Sequence, residues 1–96
     1  MPKAARLGDS CTGHGSFPPR PNNQASGNVF IEGIAAHRQG DSWPTHCNST
    51  PTCHDGVTAG GSSKVFINGK AAARVGDAVS CGGTIAEGAS KVFIGG

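Results

Sequence analysis

One short pattern occurs three times in this chain of 96 residues, and its third copy is divided between the two ends. The two complete copies span residues 29–41 and 65–77. The third copy starts at residues 92–96 and stops at a turn, while the matching return half, residues 2–9, opens the chain. A repeat that is completed only by pairing the first residues with the last closes into a ring of three. The sequence therefore predicts a pseudo-threefold domain whose termini meet.

The composition indicates that this ring has a thin core. A chain of this length forms a single domain, predicted here over residues 1–96, and buries only roughly two-thirds of the surface that its unfolded form exposes. The chain has 16 Gly, 6 Pro and no Tyr, so little apolar area is available to balance the ordering entropy. We therefore expect a metal ion or a permanent partner to contribute to stability.

The charge and hydropathy patterns exclude several kinds of partner. Eight basic and six acidic residues give a net charge of +2, and the basic residues are scattered. This distribution argues against nucleic acid or an anionic membrane as the main partner. The sequence has no apolar run of membrane-spanning length and no hydrophobic segment at its start, which predicts synthesis in the cytoplasm without a stable membrane anchor. The four Cys are therefore expected to be reduced or bound to metal.

The repeated Val-Phe-Ile segments predict an all-β fold. Each segment is β-branched and aromatic and is followed by a two-residue turn that ends in Gly; Asn68-Gly69 is typical of a type I′ hairpin turn. The small Ala residues at equivalent places suggest close approach around a narrow axis. Three antiparallel hairpins are predicted, with residues 65–67 against 70–75, 29–31 against 34–39, and 92–94 against 3–7.

The corners and connections of the repeat predict less regular structure. Each copy ends in Arg-x-Gly-Asp, which we interpret as a solvated turn whose Asp caps local backbone amides. Residues 13–27 and 42–56 are rich in Pro, Gly, Asn and Ser and show no periodicity, so they are predicted to be loops. Trp43-Pro44 is interpreted as a pair that packs within its loop, with a contact surface as the alternative.

Candidate metal ligands occupy related positions in the three copies. Cys81 and His54 each stand eleven residues before a Val-Phe-Ile segment, and His14 fits the same place if its loop carries a four-residue insertion. His46 follows Asp41 by five residues, as His14 follows Asp9. Three His and one Cys form a complete tetrahedral set for zinc with no position open for water or substrate, which is typical of a structural site. The predicted metal ligands are His14, His46, His54 and Cys81.

The remaining His and Cys residues are interpreted differently. His37 replaces the second Ala of its hairpin and is expected to be a strand residue that binds no metal. Cys11, Cys47 and Cys53 lack equivalents in the other copies. A Cys47–Cys53 disulfide is conceivable, but a reducing compartment argues against it.

The ordered motifs now described resemble the PAAR-repeat family. They are Ala-Ala-Arg with a following x-Gly-Asp, then Ser-Cys-Gly-Gly, then Gly-x-Ser-x-Val-Phe-Ile-x-Gly, and together they cover essentially the whole chain. The Pro of the family's name motif is replaced, and the second copy reads Ala-His-Arg. The resemblance implies a β-cone whose base sits on the trimeric VgrG spike of a bacterial type VI secretion system. It also implies a zinc ion near the point, held by residues that match His14, His46, His54 and Cys81.

This resemblance implies a non-catalytic role. One chain would cap each VgrG trimer, help to pierce the target envelope and leave the bacterial cytoplasm with the spike. Because the chain shows no extension beyond the repeat, effector cargo is expected to attach non-covalently. A generic metal-stabilised binding module is the alternative, followed by a small zinc hydrolase using Asp55 beside His54. The sequence leaves iron open in place of zinc.

Overall fold

The protein's computed structural model describes residues 1–13, 17–47 and 53–96, and it confirms the predicted all-β class. Six short strands form three separate antiparallel hairpins in these residues. No helix in the described ranges is long and apolar enough to cross a membrane. The strands are β1 (Phe30–Ile31), β2 (Ile34–Ala35), β3 (Ser42–Cys47), β4 (Cys53–Val57), β5 (Phe66–Ile67) and β6 (Lys70–Ala71).

The turns of the repeated hairpins have the conformation that their sequences predict. Asn68 and Gly69 have φ values of 55° and 78°, and Glu32 and Gly33 have values of 53° and 79°. Positive φ at both central residues defines a type I′ turn, whose twist matches that of the flanking strands. The strand registers are Phe30 with Ala35, Ile31 with Ile34, Phe66 with Ala71, and Ile67 with Lys70.

The third hairpin joins the two ends of the chain, as predicted. Lys3 and Phe93 form an antiparallel bridge. The amide of Ile94 donates to the carbonyl of Pro2 at 2.9 Å, and the amide of Ala4 donates to that of Val92 at 2.9 Å. The corresponding bond in each of the other two copies is also 2.9 Å long. The ring is therefore closed by hydrogen bonds of the same kind in all three repeats.

The return segments leave their own hairpins early and bond to the neighbouring repeat. His37 N donates to Ala5 O, Ala5 N donates to Ala73 O, and Ala73 N donates to His37 O, at 3.0 to 3.1 Å. The predicted pairing of residues 70–75 with 65–67 is thus correct only for its first residues. Past Ala71, a longer hairpin would leave the ring without its cyclic bonds, so the backbone turns to the next copy instead.

Two apolar clusters stack along this ring because each return segment runs from one cluster into the other. The first cluster contains the buried Ile of each hairpin and the first buried Ala of each return segment, together with Ala89. The second contains Ala5 and Ala73 and then Trp43, Ile85, Val79 and Cys11. The molecule is elongated, with principal extents of 39 × 24 × 21 Å. We call the three repeated hairpins together the hairpin end.

The Arg-x-Gly-Asp corners are not solvated, contrary to the interpretation from sequence. The Asp41 side chain is fully buried and its carboxylate accepts from the Arg38 backbone amide and from Arg38 Nε, both at 2.9 Å. The same carboxylate accepts from Arg38 Nη2 at 2.9 Å. Equivalent bonds join Arg6 to Asp9 and Arg74 to Asp77. Asp does cap the local amide, as predicted, but each corner is also a shielded ion pair, because the next repeat covers it.

The prediction of a loop over residues 42–56 is wrong. Strands β3 and β4 within that segment form the longest hairpin among the described residues, with an irregular register between Trp43 and His46. Trp43 is only 1% exposed and packs in the second core cluster, which anchors the hairpin beside the ring. Tertiary packing of one large aromatic side chain here outweighs a local composition that favours irregular structure.

Candidate metal centre

The β3–β4 hairpin positions two of the four predicted metal ligands. His46 on β3 is the register partner of His54 on β4. His46 is 5% exposed. The side chain of His54 and the whole of His14 lie outside the described part of the structure. Asp55, the carboxylate considered for a hydrolase, is exposed.

The imidazole of His46 is oriented by the residues just before Arg20. Its Nδ1 lies 2.9 Å from the carbonyl oxygen of Pro18, which can only accept, so Nδ1 carries the proton. The Phe17 ring packs against the imidazole at 5.0 Å between centroids. A backbone carbonyl that holds one ring nitrogen protonated is the usual way of directing the other, here Nε2, to a metal ion.

Arg20 is the central side chain of this region and was missed by the sequence analysis. Its Nη1 lies 3.0 Å from Nε2 and 3.2 Å from Nδ1 of His46, and its Nη2 donates to Cys81 Sγ at 3.5 Å. Nη1 also lies 3.8 Å from Cys11 Sγ, and Nε donates to the carbonyl of Pro44. Arg20 is 5% exposed. The guanidinium carbon lies 5.5 Å from the centroid of the ring of Trp43, a distance suited to a cation–π contact.

The described residues fit a metal site in part. His46 Nε2 and Cys81 Sγ, a nitrogen and a sulfur donor suited to zinc, both bond to a single cationic group. A Cβ added at Gly56 would lie at ordinary contact distances of 3.4 Å from Cys81 Cβ and 3.5 Å from Arg20 Nη2, and at a tighter 3.1 Å from Ser80 Oγ, so Gly56 packs directly against this cluster. Within residues 1–13, 17–47 and 53–96, no group of three or more His, Cys, Asp or Glu could hold a metal ion.

Cys47 and Cys53 form a disulfide, which the sequence analysis considered but disfavoured. The two residues are register partners next to His46 and His54. Their Cα atoms are 4.1 Å apart, because antiparallel pairing brings the ends of β3 and β4 together. The expectation from the cytoplasmic compartment is thus wrong for this pair, while Cys11 and Cys81 are free thiols.

His37 belongs to a separate buried network. Its Nδ1 donates to the carbonyl of Gln24 at 2.7 Å, and its Nε2 accepts from Thr58 Oγ1 at 2.6 Å. The same hydroxyl accepts from Trp43 Nε1 at 2.8 Å. Burial lowers the pKa of His37 below its ordinary value, and the bond to Gln24 and the nearby Asp41 carboxylate oppose this effect only in part. His37 is therefore a neutral core residue that lies between the bridged residues Ala36 and Arg38, outside the named strands.

Three β-hairpins closed into a ring, with His46 and Cys81 beside Arg20, define a small all-β repeat domain. The chain belongs to the PAAR motif family, which matches residues 12–87. It is 37% identical to the NAD(P)(+) glycohydrolase toxin Tse6 of Pseudomonas aeruginosa strain PAO1. It is equally similar to the (p)ppApp synthetase toxin Tas1 of Pseudomonas aeruginosa strain UCBPP-PA14. Each alignment covers 76% of this chain but only 18% of the relative.

Proposed function

We propose that this protein is a spike tip that caps the trimeric VgrG spike of a bacterial type VI secretion system. The observation that carries the proposal is the threefold hairpin end. Each hairpin buries its Ile and exposes the preceding Phe: Phe30 and Phe66 are 60% exposed and Phe93 is 46% exposed. Three equivalent aromatic side chains on one chain match a partner that repeats the same surface three times.

The second part of the proposal is a structural zinc ion held by His14, His46, His54 and Cys81. Support comes from the shared guanidinium contact of His46 and Cys81, and from the pairing of His54 with His46. When bound, the metal would tie the β3–β4 hairpin and the segments that contain His14 and Cys81 into one unit. A closed ligand set gives rigidity and leaves no position for catalysis, so we propose no enzymatic activity for this domain.

The route and the cargo follow from the same proposal. A tip assembled on its trimer in the bacterial cytoplasm would leave the cell with the spike and cross the target envelope at its front. The similarity to two much longer toxins supports a link to toxin delivery. We propose that effectors are carried with this domain or with its partner. Any catalytic activity would then lie outside this domain.

A binding experiment with a trimeric VgrG β-prism tests the capping proposal. Native mass spectrometry of the mixture should give one copy of this protein per trimer. Binding should change little between roughly 50 and 500 mM salt, since an apolar interface releases few ions. Three copies per trimer, or affinity that collapses with moderate salt, would contradict the proposal and favour the generic binding module.

Matched variants locate the interface. Phe30→Ser and Phe66→Ser should each weaken the complex about tenfold or more, because a buried aromatic side chain at an interface contributes on the order of 1 to 3 kcal/mol. Val57→Ser is the control, since Val57 is 42% exposed but lies on β4 of the other hairpin. Equal effects of all three substitutions would place the partner elsewhere.

A further inference from the structure

The first strand of each repeated hairpin is held at its start by a hydroxyl group in two copies, but the third copy has none at that place. Ser26 Oγ accepts from the amides of Asn28 and Val29 at 3.2 and 2.9 Å. Ser62 Oγ accepts from the two equivalent amides of the second copy at 3.0 and 2.9 Å. Ala89 occupies this place in the third copy, because its amide bonds to the return segment at 2.8 Å, as the amides of the two Ser residues do at 2.8 and 2.9 Å. The start of the third strand therefore depends on another acceptor.

Glu32, in the turn of the first hairpin, supplies this acceptor. Its carboxylate accepts from the amides of Ser90 and Lys91 at 3.1 Å each, and from Ser90 Oγ at 3.3 Å. The same carboxylate accepts from Arg6 Nη1 at 3.2 Å. Arg6 and Lys91 belong to the two halves of the third repeat, which come from opposite ends of the chain. One side chain thus holds both halves.

The backbone at Glu32 also points to a role for its side chain. Its φ of 53° lies in the left-handed region, which Asn and Gly adopt more readily than Glu. The second copy has the more favourable Asn68 at this place, with a φ of 55°. Asn68 Oδ1 accepts from the hydroxyl of Ser26 at 2.6 Å, a bond that is available only where the neighbouring strand begins with Ser. A less favourable residue at such a position indicates a contact that compensates for the backbone strain.

We infer that Glu32 is a positioning residue that clasps the two halves of the third repeat and thereby fixes Phe93 for docking at the hairpin end. The inference rests on the docking surface proposed above. The strands of the third hairpin come from opposite ends of the chain, so contacts with the neighbouring repeats fix their geometry. Ser62 Oγ donates to the Gly95 carbonyl at 2.6 Å near the end of the third strand, and Glu32 holds the start of that strand. Phe93 lies between these two contacts.

Hydrogen exchange at three equivalent amides tests the clasp without any partner. The amides of Ala4, Ala36 and Ala72 each donate across their own hairpin at 2.9 Å, so they report on the three hairpins separately. Glu32→Asn keeps a residue suited to the turn of the first hairpin, but it removes the carboxylate. The Ala4 amide should exchange roughly tenfold faster in this variant, because opening of the third hairpin no longer breaks charge-assisted hydrogen bonds. The other two amides should keep their native rates.

A second substitution provides a rescue that a general loss of stability would not show. Adding Ala89→Ser to Glu32→Asn gives the third strand the same pair of side chains that Asn68 and Ser26 form in the native chain. The new hydroxyl can accept from the Lys91 amide, as Ser26 Oγ accepts from its own strand. Slow exchange of the Ala4 amide should therefore return in the double variant.

Two further variants complete the set. Asp55→Asn is the control, because it removes an exposed carboxylate from β4 and should alter none of the three exchange rates. Glu32→Gln keeps the length of the side chain and a neutral acceptor, so its effect on Ala4 should be smaller than that of Glu32→Asn. It also serves if Glu32→Asn does not fold.

Binding to the trimeric VgrG β-prism measures the consequence for docking. Glu32→Asn should weaken the complex, and the added Ala89→Ser should restore it, at temperatures where circular dichroism shows both chains to be folded. A native rate at Ala4 in Glu32→Asn, equal acceleration of all three amides, or a failure of the Ser to reverse the change would overturn the clasp. Faster exchange with unchanged VgrG binding would overturn its role in docking. A native chain that does not bind VgrG would overturn the docking proposal, while the exchange rates would still decide whether Glu32 clasps the repeat.

Discussion

At the residue scale, side chains at equivalent positions of the repeat have different structural roles. Ala5, His37 and Ala73 occupy the same place in the cyclic hydrogen bonds, but only His37 carries a side chain beyond Cβ. The imidazole of His37 packs between the hairpin ring and the indole of Trp43, and the imidazole and indole centroids are 5.5 Å apart. It also accepts a hydrogen bond from the Thr58 hydroxyl. The threefold backbone pattern thus accommodates one large side chain, that of His37, at the place where the β3–β4 hairpin packs against the ring.

The buried His37 predicts a specific pH dependence of stability. Its pKa is lowered in the folded protein, so the unfolded chain takes up the proton first as the pH falls below about 6.5. His37 therefore makes its full contribution to the free energy of unfolding above that pH, and this contribution declines below it. The pKa of the imidazole is also affected by the charges of Asp41, Arg38 and Asp9. Protonation of His37 would break the hydrogen bond that it accepts from the Thr58 hydroxyl.

Urea denaturation of the native chain and His37→Ala at several pH values tests this dependence. The native chain should be more stable at pH 8, by about 2 to 4 kcal/mol for a lost buried side chain and its bonds. The difference should shrink as the pH falls below about 6.5. Titration of the other groups is common to both chains, so parallel curves would rule out a neutral His37.

The proposed ligands predict a second residue-level outcome. Ala substitution of His14, His46, His54 or Cys81 should each lower the zinc content from one per chain and reduce stability sharply, because a structural zinc contributes on the order of 10 to 16 kcal/mol of apparent free energy. Metal analysis by mass spectrometry provides the measurement, and His37→Ala is the control that should keep its zinc. Full occupancy in His46→Ala would remove His46 from the set and make the free thiol of Cys11 the next candidate.

At the element scale, the β3–β4 hairpin differs in kind from the repeated hairpins. The repeated hairpins are pairs of two-residue strands held by the ring, while β3 and β4 extend over six and five residues and are joined by a disulfide. Thr58, directly after β4, donates its amide to the Asp41 carbonyl at 3.0 Å. One end of this hairpin is therefore anchored in the ring, and the other is held covalently.

Reducing the Cys47–Cys53 disulfide should lower the free energy of unfolding by about 2 kcal/mol, the value expected for a short closed loop. Chemical denaturation with and without a thiol reductant measures the effect on the metal-free chain. The double variant Cys47→Ser, Cys53→Ser should match the reduced native chain and show no response to reductant. A response that persists in the double variant would assign the effect to Cys11 or Cys81.

The sequence predicts the repeated hairpins well because their information is local. Asn68-Gly69 specifies its own turn, and the third copy shows where the ends must meet. The β3–β4 hairpin depends instead on Trp43 finding the second core cluster, which no local pattern reveals. Arg20 was missed for the same reason: it stands in a Pro-rich segment and contacts Cys81, which is 61 positions further along the chain, only in the folded protein. The proposed metal ligands stay a prediction.

At the scale of the whole molecule, hydrogen bonds around the closed ring stabilise the fold in place of a large apolar core. Half of the buried apolar residues in the described part of the chain are Ala, and Trp43 and Ile85 are the largest fully buried side chains there. Cyclic backbone bonds pass from each repeat to the next. The Arg of each corner also reaches the next repeat, where the three partners are Glu32, Asn68 and the Gly95 carbonyl. Such an arrangement is cooperative, because removing any one repeat unpairs the edges of both others.

Deleting residues 1–7 tests this cooperativity. The truncation removes Ala4 and Ala5 from the two core clusters and leaves the hydrogen-bonding groups of Ala73 and His37 without partners. We expect loss of the cooperative thermal transition, followed by circular dichroism. Leu7→Ser is the control, since Leu7 is 43% exposed and its substitution should leave melting nearly unchanged. A truncated chain that melts like the native one would show that ring closure is dispensable.

The pairing of Lys3 with Phe93 also determines how a larger protein could be assembled around this domain. Because the first and last residues share one hairpin, polypeptide attached before Met1 or after Gly96 would emerge from the same third of the ring. With either attachment, the parts of the ring around Phe30 and Phe66 would stay free of the attached polypeptide. A payload of any size could thus be tethered at one side without crowding the other two, and tethers at both ends would start as close neighbours.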